Sequence, residues 1–480
     1  MPDPKTTGLG TKRDFAIYLG IIIAAGVGFF FLLRDSQQTL ALIIFLATVL
    51  GTLMFWKFRV GIAFIGLVLL LVTRTVDLST AIEFMNFDVI LFLMGMMVIM
   101  GALRESGFLR WLLVKVIRLT RFEPHLVLIA LLLLGTILSA LVNEVLSILF
   151  TTALILDLCD HFGVNPVKYI IAVVLATNIG SSWTVLGNPI GILIAFKSGL
   201  TFEDFLRFAL PVGVISLFIL IGIILIWFRK DFPHLRERQQ VELAASGIRD
   251  QAADAGVRFL ADWAIIKDKK LFLGIVSVFA VVIISLAFAH RLEFWFGLEP
   301  NTLLFAIPIL GAGIIMLWRR REAREYIQRD VDWWTLVFFM FLFSMAGCLQ
   351  YVGLTDRVAE AMLNTNGGNV NNHLPSIIML WVSGFLSAIA DNVVVVSGLA
   401  PVAHTLSASL GTPTPWWALL FGGCYGGNMT MIGSTANIVA LGILERKTGH
   451  LITLRYWLRV GLLASLIPMA IGMGAILIFS

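Results

Sequence analysis

Apolar residues occur along the chain in long runs that are separated by short polar segments. A bilayer core about 30 Å thick requires about 20 apolar residues per crossing helix. Two shorter apolar segments, 167–196 and 413–443, are each interrupted by Gly, Ser, Asn and Thr, and we expect them to form re-entrant hairpins buried within the protein. The longer runs predict eleven transmembrane helices, at residues 15–33, 39–56, 60–73, 88–103, 124–158, 208–228, 272–290, 300–318, 333–351, 374–408 and 457–479.

Composition supports a membrane protein, because 59% of the residues are hydrophobic and only 14% are charged. A soluble domain carries about 25% charged residues, so much of this apolar surplus must face lipid. Basic residues gather in alternate loops, which predicts that the N-terminus and the segment 229–270 are cytoplasmic, in the inner membrane of a prokaryote. The sequence lacks nucleotide-binding motifs and cysteine pairs, so we expect neither an enzyme nor a cofactor, metal or nucleic-acid site.

Three groups of residues recur in the same order in the two halves of the chain, which indicates an internal repeat. The first half contains Phe92-Leu-Met94, Leu138-Ser-Ala140 with Asn143-Glu144, and Gly180, Thr184 and Gly187; the second contains Phe338-Phe-Met340, Leu386-Ser-Ala388 with Asp391-Asn392, and Gly426, Thr430 and Gly433. In the predicted topology the equivalent helices run in opposite directions. Inverted repeats of this kind are typical of secondary transporters with a site at the membrane midplane, although channels share the symmetry.

The predicted domain organisation follows from this repeat. We expect an N-terminal tail with an extra helix (1–38), a first repeat (39–228), a cytoplasmic linker (229–270) and a second repeat (271–480). Each repeat is predicted to contain one broken helix and one hairpin. The fold class is therefore an all-α polytopic membrane protein with about eleven transmembrane helices, two re-entrant hairpins and two inverted repeats.

Two acidic residues, Glu144 and Asp391, stand within apolar segments at adjacent positions of the repeat. An ionisable residue at this depth costs at least ~2.5 kcal/mol and usually lines a solute or ion path. A continuous helix over 124–158 would be about 50 Å long, so we expect a break near Asn143-Glu144 and another near Asp391-Asn392. We predict that both acids bind a coupling proton or cation in one cavity. The alternative is a buried carboxylate that only bonds to a neighbouring helix.

The Gly-rich interruptions combine uncharged donors and acceptors with residues that permit close approach of the backbone. Helix N-termini directed at them would favour an anion or an oxygen-rich solute. Packing of small residues between helices is the alternative explanation for some of the glycines. The predicted substrate-binding residues are Asn143, Asn178, Ser181, Ser182, Thr184, Asn188, Asn392, Asn428, Thr430, Ser434, Thr435 and Asn437.

The segments ATNIGSSWTVLGNPIGILIAF (176–196) and GGNMTMIGSTANIVA (426–440), each beside a broken helix, resemble the ion transporter superfamily. The resemblance covers residues 40–479 and is greatest to ArsB/NhaD-type permeases, especially arsenite and silicic-acid effluxers. It implies a scaffold domain and a transport domain, usually in a homodimer, and efflux driven by a cation gradient. This chain has Asn143-Glu144 where many relatives have Asp-Asn. It also has Gly187-Asn-Pro-Ile-Gly191 where many relatives have Gly-Asp-Pro-Pro-Asn, and the loss of that aspartate argues against a sodium site.

The sequence thus predicts a secondary active transporter that exports a small metalloid hydroxide, arsenite or antimonite, in exchange for protons. A sodium/proton antiporter is one alternative, and a transporter of silicate or a small anion such as a dicarboxylate is another. A passive channel is the alternative from a different class. The predicted partners are the small solute, the coupling proton or sodium, membrane lipid and a second copy of the chain.

Overall fold

The computed structural model describes residues 12–33, 35–120, 123–233, 266, 268–365 and 373–479. These residues form helices, turns and irregular segments, without strands. The helices are α1 (Lys12–Leu33), α2 (Ser36–Met54), α3 (Arg59–Val72), α4 (Leu78–Glu83), α5 (Phe87–Glu105), α6 (Phe108–Leu119), α7 (Pro124–Leu141), α8 (Glu144–His161), α9 (Val167–Gly180), α10 (Pro189–Ser198), α11 (Phe202–Phe228), α12 (Lys269–Ala287), α13 (Ala289–Phe296), α14 (Thr302–Trp318), α15 (Trp333–Tyr351), α16 (Leu354–Asn364), α17 (Leu374–Ile389), α18 (Asn392–Leu410), α19 (Thr414–Gly426), α20 (Thr435–Thr448) and α21 (Leu454–Phe479).

Eight helical segments among the described residues are long and apolar enough to cross a membrane, and further apolar helices are shorter. This confirms the predicted all-α polytopic membrane fold. The division into 1–38, 39–228, 229–270 and 271–480 stays a prediction, and most of the segment 229–270 lies outside the described residues.

Helices α7 and α8 form a hairpin. They pack against each other, and the Ser147 hydroxyl donates a hydrogen bond to the Gly135 carbonyl at 2.9 Å. These residues would lie about 18 Å apart along a continuous helix. The base of the hairpin lies at the end of α11, where the ring of His125 packs on that of Phe232. We call this side of the molecule the linker face, and the hairpin tip is the turn between Leu141 and Glu144.

Helices α17 and α18 form the second hairpin. They also pack against each other, and both ends of the pair lie beside the start of α19. There Ser376 is hydrogen-bonded to Thr414 at 3.1 Å and the ring of His404 packs on that of Trp416. The tip is the turn between Ile389 and Asn392.

Helices α9 and α10 together cross the fold. Lys168, near the start of α9, forms an ion pair with Asp231 at 2.6 Å, and Tyr169 packs on Phe228 at the end of α11. The end of α10 instead immediately precedes the start of α11. Helix α11 contains 27 residues and is therefore about 40 Å long. The start of α9 and the end of α10 lie at its two ends, and so at opposite faces of the fold.

Helices α19 and α20 make the equivalent crossing in the second half. Phe421 in α19 packs on Gly472, near the end of α21, whereas α20 ends shortly before α21 begins. Leu451, Ile452 and Thr453, which lie between α20 and α21, line one cavity with Lys168 and Asp231 at the linker face. The start of α19, and with it the base of the second hairpin, therefore lies at the opposite face.

The structure corrects the predicted positions of the hairpins. The predicted hairpins, 167–196 and 413–443, are broken helices that cross the fold, and the predicted broken helices, 124–158 and 374–408, are the hairpins. The error arose because the length of an apolar run does not show whether its two arms are collinear or folded back. The exchange leaves the predicted number of crossings unchanged, and the two observed hairpins enter from opposite faces.

The halves interlock at the centre of the fold. Helix α8 packs against α20, and α10 packs against α18, so each hairpin also contacts the broken helix of the other half. Helix α5 likewise packs against α14, and α15 against α3. Because helices of each half pack against helices of the other half, both hairpin tips and both helix breaks lie in one region.

Candidate functional site

The first hairpin tip presents Glu144 at the start of α8. Asn143 caps this helix, because its side-chain oxygen accepts a hydrogen bond from the Val145 amide at 2.8 Å. Its backbone has a φ of 150°, a value that residues other than glycine rarely adopt. The Glu144 amide donates to the Gly187 carbonyl at 2.9 Å, which joins the tip to the break between α9 and α10.

The second hairpin tip presents Asp391 in the equivalent place. One carboxylate oxygen of Asp391 caps α18 by accepting from the Val393 amide at 3.0 Å. The other accepts from the Thr435 hydroxyl at 2.5 Å, which joins this tip to the break between α19 and α20. Both tips therefore begin a helix and both are tied to the break of their own half.

A threonine and a glycine in each break make matching contacts with the hairpins. The Thr184 hydroxyl donates to the Ala140 carbonyl, and the Thr430 hydroxyl donates to the Ala388 carbonyl. A Cβ atom on Gly180 would lie 2.3 Å from a backbone oxygen of the first hairpin, and one on Gly426 would lie 2.3 Å from a backbone oxygen of the second. Glycine is thus required at both positions by the close approach of backbone.

Four helix N-termini meet at the tips and breaks, those of α8, α10, α18 and α20. The caps of α10 and α20 are Asn188, which accepts from the Gly191 amide at 2.9 Å, and Ser434, which accepts from the Ala436 amide at 3.2 Å. The N-terminus of a helix carries a partial positive charge. The arrangement therefore favours a negatively charged or oxygen-rich group at this point.

Both acids are buried, since Glu144 is 1% exposed and Asp391 is 3% exposed. They are close enough to interact electrostatically, and Glu144 also interacts with the side chains of Asn188 and Ser181. Its Oε2 atom has no hydrogen-bond partner among the described residues. The two carboxylates therefore face one region, although they come from opposite halves of the chain.

Three predicted asparagines form a network that joins the two broken helices. The Asn178 amide donates to the side-chain oxygens of Asn428 at 2.8 Å and Asn437 at 2.9 Å. Asn178 in turn accepts from the Ser434 hydroxyl at 3.2 Å. The amide groups of Asn428 and Asn437 donate to backbone carbonyls. The polar atoms of all three asparagines are therefore already paired within the protein.

Asn392 differs from these residues. It is fully buried at the start of α18, and neither its amide nitrogen nor its oxygen has a hydrogen-bond partner among the described residues. Ser181 and Ser182 lie near the end of α9, where Ser181 accepts from Asn188 at 3.0 Å and Ser182 donates to Tyr425 at 3.1 Å. The structure thus brings all predicted site residues to the two tips and two breaks.

Arg59 is not among the predicted site residues, but the structure buries it at the start of α3. The side chain is 7% exposed and donates to the Thr335 hydroxyl at 2.7 Å. It lies over the rings of Trp56 and Phe338, at 4.4 and 5.3 Å, and interacts electrostatically with Asp391. A basic residue directly before an apolar run was the only available signal.

Cys424 is a second missed neighbour of the site. Its sulfur accepts from the Asn188 amide at 3.2 Å, and it interacts electrostatically with Glu144. Its position in α19, two residues before Gly426, was the available signal. The described residues contain no group of three His, Cys, Asp or Glu side chains that could hold a metal ion.

Residues 40–422 match the sequence profile of CitMHS, a family described as citrate transporters. The chain belongs to the CitMHS family. It is therefore a membrane transporter, as predicted in general terms from the repeat. The match supports the wider resemblance to ion transporters and does not specifically support the ArsB/NhaD-type permeases.

Relatives of this CitMHS transporter occur in bacteria and mammals. An uncharacterized transporter of Mycobacterium tuberculosis is 33% identical over 390 residues, covering 80% of this chain and 84% of that protein. A 46 kDa membrane protein of Mycobacterium leprae is 29% identical, covering 80% and 85%. The P protein of Homo sapiens is 27% identical and covers 84% of this chain, which spans only 54% of the P protein.

Two solved transporters share the fold of this CitMHS protein. The YdaH transporter of Alcanivorax borkumensis aligns with a TM-score of 0.52 at 15% identity, covering 83% of this chain and 87% of its own. MtrF of Neisseria gonorrhoeae, from a class of antimetabolite efflux pumps, aligns with a TM-score of 0.54 at 14% identity, covering 86% and 84%. At these identities the likeness concerns the fold alone.

Proposed function

We propose that this CitMHS protein transports a small carboxylate anion together with protons. The observation that carries the proposal is the meeting of four helix N-termini with two buried carboxylates, Glu144 and Asp391. The N-termini favour an anion, whereas ionised carboxylates at the same place would repel it. Protonation of the acids removes that repulsion, so anion and protons bind together. The name of the family, citrate transporter, is consistent with this class of substrate.

The proposed roles follow the hydrogen bonds. Asn392, Glu144 and Asn188 contact the solute. Asn392 and Glu144 have polar atoms without a hydrogen-bond partner in the part of the chain that the structure describes, and Asn188 lies beside Glu144. Glu144 and Asp391 carry the protons. The remaining predicted residues hold the tips and breaks in position or form the surrounding wall: Asn143, Asn178, Ser181, Ser182, Thr184, Asn428, Thr430, Ser434, Thr435 and Asn437.

Proton-coupled efflux of a metalloid hydroxide, arsenite or antimonite, is the second candidate function. The observation that favours it is the Asn392 amide, which is unpaired within the described residues and offers a neutral donor and acceptor to a hydroxyl group. Silicate presents the same hydroxyl chemistry. Such a solute is neutral, so it gains less from the four helix N-termini than a carboxylate does.

We also propose that the linker face is cytoplasmic and that the N-terminus lies on the same side of a prokaryotic inner membrane. The basic residues of the sequence segment 229–270, which follows α11, and Arg446–Lys447, near the end of α20, support this orientation. A homodimer in the lipid bilayer is the proposed assembly, on the basis of the resemblance to other ion transporters.

The test is transport by the purified protein in liposomes under an imposed pH gradient. Transport of citrate, arsenite and sodium is measured in separate experiments. The citrate and arsenite experiments are each done in sodium-free and in sodium-containing buffer. We expect pH-driven accumulation of citrate without sodium, and its loss in Glu144→Gln but not in Glu299→Gln, a control in an exposed loop. Accumulation of arsenite alone would establish the second candidate, and sodium movement alone would establish an antiporter.

A further inference from the structure

A cavity of about 280 Å³ opens between α10, α15 and α18, beside the turn that joins α4 to α5. It lies toward the face opposite the linker face, because its lining includes Lys197 at the end of α10 and His404, which packs beside the start of α19. We call it the α10–α18 cavity. Its volume is close to the lower limit of about 300 Å³ for small-molecule pockets.

The α10–α18 cavity extends from that face toward the site. Along α18 its lining runs from His404 inward to Ser397, which lies five residues after Asn392. Along α10 the innermost lining residue is Leu193, five residues after Asn188. About 7.5 Å of helix therefore separates the inner end of the cavity from each of these two proposed solute contacts. The inner end lies at the same depth on both helices, about one and a half turns outside the site.

Three polar side chains in the cavity are available to a solute. The Lys197 ammonium, the Gln350 amide and the His404 imidazole form no hydrogen bond or ion pair with any residue that the structure describes. Lys197 and His404 are exposed, and Gln350 is half-buried. Because α10, α15 and α18 each supply one of these groups, the three side chains surround one space and offer hydrogen-bond donors to it.

The charge of this lining favours an anion. Lys197 is the one lining residue with a fixed charge, and none of the described residues that line the cavity is acidic. Glu83 and Asp88 interact electrostatically with Lys197, but both are exposed outside the lining and neither forms an ion pair with it. Apolar side chains form most of the remaining wall. A cleft with one sign of charge and a wall of low polarity concentrates solutes of the opposite sign.

We propose that the α10–α18 cavity is the entrance to the site from the face opposite the linker face, and that Lys197 selects carboxylate anions there. This inference rests on the proposed function. An entering carboxylate binds to Lys197, with Gln350 and His404 beside it, and then passes Ser397 to reach the four helix N-termini. Lys197 acts on entry and not on the transport step. Its loss should therefore weaken the capture of substrate without slowing the transport of substrate that is already bound.

The first experiment uses no substrate. In the purified protein, the reaction rates of Ala400→Cys, a change in the cavity wall, are compared for an anionic sulfonate and a cationic ammonium methanethiosulfonate. The native cysteines are buried, so the wild type gives the background. Lys197→Gln should lower the anionic-to-cationic rate ratio at least about fivefold, because it removes one charge close to the thiol. Ser409→Cys, which is exposed near the end of α18 outside the lining, is the matched control and should keep its ratio.

The second experiment measures citrate transport in liposomes. Lys197→Gln should raise KM about fivefold and leave kcat nearly unchanged, because one attractive charge is lost from the entrance. Lys197→Arg should keep KM near the wild-type value, because it retains the charge. Arg207→Gln is the matched control. It removes one positive charge near the start of α11, from a surface ion pair with Glu203, and should not change KM.

The outcomes separate this inference from the proposed function. An unchanged rate ratio, no reaction of Ala400→Cys with either reagent, or a fall in kcat with unchanged KM in Lys197→Gln would overturn the inference and leave the proposed function standing. Absence of carboxylate transport by the wild type would overturn the proposed function and the carboxylate selectivity of Lys197 together, even if the rate ratio responds to Lys197→Gln.

Discussion

The two halves of the site use one backbone design with different side chains. In each half a hairpin tip begins a helix, a threonine in the neighbouring break bonds to the hairpin, and a glycine allows close contact. The acids differ. Asp391 is paired with Thr435 and the Val393 amide, whereas one carboxylate oxygen of Glu144 has no hydrogen-bond partner among the described residues.

Access to the two breaks also differs. Residues 170–195, which include the first break, are buried throughout. In the second break Ile432 is 46% exposed and Thr430 is half-buried. The comparison shows that the first break is enclosed by protein, whereas part of the second break lies at the surface of the protein. We therefore expect the two acids to have separate roles, with Asp391 exchanging protons first.

The largest predicted effect concerns the crossing of the fold by each broken helix. Single cysteines at Asn165 and His450 should react with an impermeant thiol reagent from one side of the membrane. Cysteines at Ser198 and Ser409 should react only from the other side. The native cysteines Cys159, Cys348 and Cys424 are buried, so the wild type is the unlabelled control. Labelling of positions 165 and 198 from the same side would restore the hairpin interpretation of 167–196.

The next effect tests the equivalence of the two glycines. Gly180→Ala and Gly426→Ala should each lower stability by about 3 kcal/mol or more, because backbone atoms cannot move aside for the new Cβ. Gly442→Ala, where nothing lies within 4 Å of the added atom, should be neutral or stabilise helix α20. Thermal unfolding in detergent measures all three. If only one of Gly180→Ala and Gly426→Ala lowered stability, the two halves would not be equivalent.

These glycines also show what sequence can predict. The repeat positions, the turns at Asn143 and Asp391, and the meeting of the site residues follow from residue identity and order. The choice between a hairpin and a broken helix cannot be predicted in this way. The pair α7 and α8 and the pair α9 and α10 both consist of two apolar arms around a polar turn. Contacts between distant segments, such as Lys168 with Asp231, decide that choice. Arg59 was missed for the same reason.

A smaller effect separates residues that hold the site from residues that bind solute. Asn178→Ala removes the bonds to Asn428 and Asn437 and leaves buried polar atoms unpaired, so stability should fall by about 2–4 kcal/mol. The change is measured by thermal unfolding without substrate. A loss below about 0.5 kcal/mol would mean that the network does not join the broken helices.

The smallest effect on stability is expected at Asn392, whose amide makes no hydrogen bond to any residue that the structure describes. Asn392→Ala should change the melting temperature little and weaken solute binding about tenfold, the loss of roughly one hydrogen bond. Thermal unfolding with and without citrate separates the two quantities. A large loss of stability with unchanged binding would assign Asn392 to the framework rather than to the solute.

The central claim, that protons bound at the buried acids drive transport, is tested most directly with Asp391→Asn. An amide keeps the shape of the side chain and can still cap α18, but it cannot carry a proton. In liposomes with an imposed pH gradient, the variant should exchange citrate for citrate yet fail to accumulate it. Accumulation at the wild-type level, with the same pH dependence, would contradict the account.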